Sequence, residues 1–321
     1  MKKKPDIFYS KILLFGEYSI LCDSMGLTIP YTHFKAELSF VKDNKYTDLD
    51  YAHSSNELLA QYLPYIQNLK LKNELKCNFD VDAFARDLKN GLYLESNIPQ
   101  GYGVGSSGAL VAALYKRYVS DPFPDDGVMT SEQINEFRLQ LSQLESFFHG
   151  TSSGIDPLNC YLGQPLLIRS RKDISVVGIP GDEQNKEGGI FLLNTGTPGK
   201  TEPLVNLFME KCQDDSFKQN LQNIMIPLNN NCITSLINGE TAAFFENLHK
   251  LSAFLLENLK PMIPHNYEKL WKLGLESGDF YIKLCGSGGG GFLLGFTRNY
   301  EKAKRILKSQ NIDVIPVYLN S

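Results

Sequence analysis

The chain has 321 residues, 42% of them hydrophobic, which is apolar material for one large or two ordinary domains. Its 32 Lys and Arg against 36 Asp and Glu leave a formal charge of -4, with no general attraction for nucleic acid or an acidic membrane surface. Six scattered cysteines without a C-x-x-C pair point to reduced thiols in a cytoplasmic protein, and five histidines without H-x-x-x-H spacing argue against structural zinc.

In chain order, the lysine triplet at residues 2–4 reads as a solvated terminus, and the apolar run 12–15 is too short for a membrane span. Residues 7–40 carry short apolar and β-branched runs separated by glycines, so strands and hairpins are predicted there. The polar stretch 44–56 is predicted as a loop, followed by helices over 57–67 and 80–88. A helix is predicted through 106–118 and a Pro/Gly-rich loop over 121–127. Thr130 and Gln133 form a capping-box pattern ahead of a helix with apolar Ile134, Phe137, Leu141, Leu144 and Phe148, which Gly150 is placed to end. Strands follow over 161–168 and 189–193, and the charged stretch 181–188 reads as a domain boundary, dividing the chain into 1–185 and 186–321. Beyond it, helices at 202–212, 241–258 and 300–309 mix with strands at 281–284, 291–296 and 313–318, the pattern of an α+β unit.

The most informative segment runs from Pro99 through Gly101, Gly103, Val104, Gly105, Ser106, Ser107 and Gly108 to Ala109. Glycines let backbone N–H groups turn toward a ligand, and the helix start that follows adds unpaired donors and a partial positive charge. Together they make an anion site suited to phosphate. The string 103–108 also fits G-x-G-x-x-G, but a dinucleotide fold needs a strand directly before the loop and an acid about 20 residues on. Pro99 is a poor end for a central strand, and a dinucleotide-dependent oxidoreductase is the disfavoured rival.

Three further segments carry chemistry. Lys11 stands on a predicted strand edge before Gly16, Glu17 and Tyr18. Glu145 precedes His149-Gly150-Thr151-Ser152-Ser153-Gly154-Ile155-Asp156, and Gly286-Ser287-Gly288 opens a run of glycines to Gly291. With the loop at 99–109, these motifs in this order resemble the GHMP kinase superfamily, and within it the mevalonate kinases. The first family motif, P-G-K with G-E-H, is matched at Lys11, Gly16 and Glu17, while Tyr9-Ser10 and Tyr18 depart from it. The stretch 194–201, ending in Thr201, is a further echo.

The resemblance implies a two-domain α+β fold, with a ribosomal S5 domain 2-like N-terminal domain and a ferredoxin-like C-terminal domain. It implies ATP and Mg²⁺ as cofactors. The glycine loop would hold the phosphates, with Gly286, Ser287 and Gly288 as a phosphate-side wall. Ser107 and Glu145 would hold the metal, Asp156 would act as base or orienter, and Lys11 would stabilise the emerging alkoxide. Glu17, Tyr18 and Thr201 would line the acceptor site. The implied partner is a small-molecule alcohol, mevalonate before others, with no nucleic acid or membrane partner and a homodimer left open. A superfamily kinase acting on a sugar or phosphomevalonate, or a non-catalytic nucleotide sensor on the same fold, stay as alternatives. By itself Asp156 reads as a helix cap, and His149 as a helix C-cap without a chemical role.

Overall fold

The computed structural model describes residues 6–41, 48–124, 129–180 and 187–319. The chain divides into two compact units, neither a single stretch. The first comprises residues up to Lys11, Pro30–Pro99 and Gly105–Gln164. The second comprises Ile12–Ile29, Gln100–Val104 and everything from Pro165. Most of the predicted domain boundary, 181–186, and residues 125–127 of the predicted loop lie outside the described residues.

Strands β1 (Phe8–Phe15) and β2 (Gly26–Phe40) each run through both units. In the first unit, the end of β2 pairs antiparallel with β3 (Leu92–Ser96), Leu38 opposite Leu94. Among the described residues, five helices accompany them: α1 (Leu49–Leu71), α2 (Val81–Lys89), α3 (Ser106–Tyr118), α4 (Ser131–His149) and α5 (Ile155–Leu162). The capping box is formed as predicted, with Thr130 N donating to Gln133 Oε1 at 2.9 Å and Gln133 N to Thr130 Oγ1 at 3.3 Å. Gly150 ends α4 at φ 70.

Two predictions for this unit fail. Residues 49–56 are helix, not loop. Asp48 caps α1 by accepting from Tyr51 N at 2.9 Å, and the polar side chains serve the edge of β3. Ser55 Oγ accepts from Leu94 N at 2.9 Å, and Asn56 Nδ2 donates to Leu92 O at 2.6 Å. Tyr161, predicted to open a strand, instead lies near the end of α5. Every residue of that helix except Asp156 is buried, so its apolar character shows no 3.6-residue period and imitates a strand. Gly163, at φ 61, stops the helix, and the strand begins at Leu166.

The second unit contains β4 (Leu166–Ser170), which pairs with the start of β2 and with β5 (Asp173–Val176). Its other sheet is antiparallel in the order β7-β8-β6-β9, built from β6 (Gly189–Asn194), β7 (Tyr281–Leu284), β8 (Phe292–Thr297) and β9 (Val314–Leu319). Its helices are α6 (Thr201–Lys211), α7 (Asp215–Asn220), α8 (Ile226–Ile237), α9 (Thr241–Asn258), α10 (Glu268–Ser277) and α11 (Tyr300–Ser309). The α+β expectation is met. A π turn, Leu221–Met225, joins α7 to α8 just before Pro227, which has no N–H to donate to the preceding turn. The asparagines that hide this helical run from a propensity reading have a tertiary use. Asn229 Nδ2 donates to Met25 O at 2.8 Å and Asn230 Oδ1 accepts from Met25 N at 3.0 Å.

Gly295 sits opposite Phe191 in the β6–β8 register, and a Cβ there would lie 2.1 Å from Phe191 Cε2. The glycine is therefore space for an aromatic ring. Gly295→Ala should lower unfolding free energy by about 1–3 kcal/mol through overpacking, read as a reduced urea midpoint with an unchanged slope.

Candidate functional site

The start of α3 is an uncapped helix N-terminus. Gly105 is the N-cap at φ 81, and no side chain caps it, so the first-turn amides face outward with the positive end of the helix dipole. Lys11, the last residue of the first unit's share of β1, is 5% exposed. Its stem passes so close to Gly105 that a Cβ there would meet Lys11 Cγ at 2.8 Å. Its ammonium reaches Asp156, with Nζ to Oδ1 2.9 Å. Asp156 occupies the first turn of α5 and is the one residue of that helix not buried. Gly108 allows this approach, since a Cβ on it would lie 2.8 Å from the Asp156 carbonyl carbon. Gly108 is thus a close-packing residue inside α3 rather than part of the loop that precedes it.

Ser107 Oγ donates to Glu145 Oε1 at 3.0 Å, and Ser152 Oγ donates to Glu145 Oε2. Glu145 is buried in the last turns of α4. Burial pushes its carboxyl up to about 7, the Asp156 charge adds to the rise, and the two serine hydroxyls and Lys11 oppose it. Oxygen donors with a desolvated carboxylate fit a hard divalent cation such as Mg²⁺. No group of three His, Cys, Asp or Glu gathers among the described residues, so the other ligands of such an ion would be phosphate oxygens and water.

Two further residues touch the site: His149, expected as a helix C-cap without a chemical role, and Arg138, which the sequence does not mark. His149 Nε2 is 3.0 Å from Ser107 Oγ, so this exposed helix-end residue touches the hydroxyl that Glu145 holds. Its membership of the 149–156 motif was the available signal. Arg138, one helical turn before Ser142 on α4, donates from Nη1 to Ser153 O at 2.6 Å and from Nη2 to Asn135 Oδ1 at 2.8 Å. It braces the turn ahead of Asp156, as does Ser142 Oγ, which donates to Ser152 O at 2.6 Å.

The remaining expected residues lie in the second unit. Gly101, Gly103 and Val104 belong to it, with Val104 buried and Gly103 left-handed at φ 77, where a Cβ would strike Cys285 O at 2.7 Å. Glu17 is buried and ion-paired to buried Lys283, Nζ to Oε1 2.6 Å. Burial pushes the Glu17 carboxyl up while the neighbouring ammonium restrains it. Tyr18 donates to Ser287 O at 2.5 Å and packs on Phe208, with ring centroids 4.7 Å apart. Ser287 Oγ in turn donates to Thr201 Oγ1 at 3.2 Å. Gly286 and Gly288 adopt φ 73, and a Cβ on Gly288 would lie 2.3 Å from Met262 O. Lys283 was not singled out in the sequence, because a lysine before a glycine run carries no mark of burial.

No described helix is long and apolar enough to cross a membrane. Residues 68–164 match the family model described as GHMP kinases N terminal domain, and residues 232–310 match that described as GHMP kinases C terminal. A mevalonate kinase of Dictyostelium discoideum is 24% identical over 230 residues, 63% of this chain and 56% of that protein, so the match spans little more than half of the relative's length. Among solved structures, the L. major mevalonate kinase in complex with R-mevalonate superposes with TM-score 0.65 at 17% identity, covering 100% of this chain and 97% of that one. The Streptococcus pneumoniae phosphomevalonate kinase in complex with phosphomevalonate and AMPPNP gives TM-score 0.64 at 16% identity, covering 97% and 98%. The two family models together take in more than half of the chain, and in both fold and motif order it belongs to the GHMP kinases.

Proposed function

We propose that the protein is an ATP- and Mg²⁺-dependent kinase that phosphorylates a small-molecule alcohol, with mevalonate as the acceptor. The observation that carries this reading is the 2.9 Å Lys11–Asp156 pair beside the uncapped start of α3. Phosphoryl transfer needs positioning and charge neutralisation more than covalent work. The first-turn amides of α3, with Ser106 and Ser107, would bind phosphate oxygens. Ser107 and Glu145 would hold Mg²⁺, which when bound neutralises charge on the phosphates. The half-buried Asp156 carboxylate would accept or orient the acceptor hydroxyl proton as its oxygen forms a bond to the γ-phosphorus and ADP departs. Lys11, held through its stem by Gly105, would keep a fixed positive charge beside that oxygen.

Mevalonate is supported by the Dictyostelium relative and by the L. major structure that contains R-mevalonate. A phosphorylated acceptor would call for a cation at the 149–156 segment. Arg138 does reach it, but bonds Ser153 O and Asn135. The chain's division at 1–185 and 186–321 and its residence in the cytoplasm go with the same proposal, which leaves a homodimer open.

An ADP-release assay with mevalonate, phosphomevalonate and galactose as acceptors tests the reading, with turnover expected for mevalonate. Asp156→Asn should lower kcat by about 10²–10⁴ while the KM for ATP changes less than about threefold. A wild-type rate unaltered by that substitution removes Asp156 from the chemistry.

Glu145 gives a second test, without nucleotide or metal. Its carboxyl stands near 7 in the folded protein against the ordinary 4.5 when unfolded. The folded state therefore binds the extra proton, and this stabilisation is complete below pH 4.5 and lost as pH rises through about 7. In EDTA at pH 8, Glu145→Gln should be more stable than wild type by about 2–3 kcal/mol, with the difference vanishing near pH 4.5. Urea melts across that range would show it, and parallel curves would place the carboxyl in a wetter setting.

A further inference from the structure

Tyr18 sits at the centre of a γ-turn. Ser19 N donates to Glu17 O at 2.7 Å, and Tyr18 has φ 61 and ψ -50, the rare and strained hand of that turn. A β-carbon in this conformation is strained and persists only where surrounding contacts over-determine it. Those contacts are present. The ring packs on Phe208 of α6, the hydroxyl donates to Ser287 O, and the preceding Glu17 is locked to Lys283, which lies four residues before Ser287. The side chain is 5% exposed, and burial together with the Glu17 charge pushes the phenol up, so it remains a donor at every working pH.

The glycine run after β7 is anchored unevenly. Its later part is tied by main-chain bonds, from Gly289 N to Met262 O at 2.6 Å and from Gly291 N to Thr197 O at 2.6 Å. At Ser287 the ties come from side chains: the Tyr18 hydroxyl on its carbonyl and its own hydroxyl on Thr201, the first residue of α6. Phe208 lies on the same helix, so Tyr18, Ser287, Thr201 and Phe208 close a ring of contacts around the start of α6.

We propose that Tyr18 is a positioning residue that fixes the 286–288 segment through the Ser287 carbonyl, so that it acts on nucleotide binding and is not a ligand of the alcohol. The inference rests on the kinase reading for its nucleotide but not for its geometry. A phenol already donating to a carbonyl and packed on an aromatic ring has no proton left to offer an acceptor. Removing the hydroxyl leaves the ring, the ion pair and the fold in place while freeing one end of the segment.

The test is Tyr18→Phe in the full chain, followed by two measurements. In the free protein, amide hydrogen exchange of residues 286–288 should quicken by about threefold to tenfold, the loss expected from one hydrogen bond, with 289–291 unchanged. In the assay with ATP and mevalonate, the KM for ATP should rise by a similar factor, with kcat and the acceptor KM within about twofold. Unchanged exchange at 286–288, or a rise confined to the acceptor KM, overturns the proposal. Should wild type bind ATP without turning over any alcohol, the kinase reading falls, while the exchange result and the ATP dissociation constants of the two proteins still decide the role of Tyr18.

Discussion

The first unit is organised around the Lys11–Asp156 ion pair. A lysine that is 5% exposed loses most of its hydration, and it holds its charge only where an opposite charge and good geometry compensate. Asp156 compensates, but it stands on a different element, and two backbones must come unusually near each other for the pair to close. Glycine at 105, the N-cap of α3, admits the lysine stem, and glycine at 108, inside α3, admits α5. With its lysine buried and its aspartate partly open to solvent, the pair contributes little net stability.

The neighbouring Glu145 shows the complementary strategy. It is more buried than Asp156 and has hydroxyls, not an ammonium, as its hydrogen-bond partners. Its carboxyl therefore rises while the other carboxylate stays paired to a cation. Two acids eleven positions apart in sequence thus have different electrostatic environments. In the second unit, burial is managed by Lys283, whose ammonium also lies 5.2 Å from the centre of the Phe15 ring, a cation on an aromatic face.

Much of this was legible beforehand where local chemistry is explicit. The capping box at Thr130, the stop at Gly150 and the helix after the glycine loop all follow from side chains and backbone acting over a few residues. The Lys11–Asp156 meeting was legible only through the order of the motifs, because nothing local links positions 145 residues apart. What escaped was decided by tertiary contacts. Ser55 and Asn56 look like loop residues until β3 is seen to receive their hydrogen bonds. Helix α5 is buried on nearly all sides and loses its period, and the asparagines of α8 have a distant main chain as their partner. His149 and Arg138 escaped for a related reason. Each is an ordinary polar helix residue whose partner is supplied by another segment.

The contact between Gly105 and the stem of Lys11 has a bearing on how such chains can diverge. The two positions share one small volume, so neither can grow alone, and any enlargement at 105 must be matched by a slimmer side chain at 11. That trade would move the positive charge away from its carboxylate. The ancestry of the loop and that of the first strand are thereby tied together, and the two should change in concert or remain as they are.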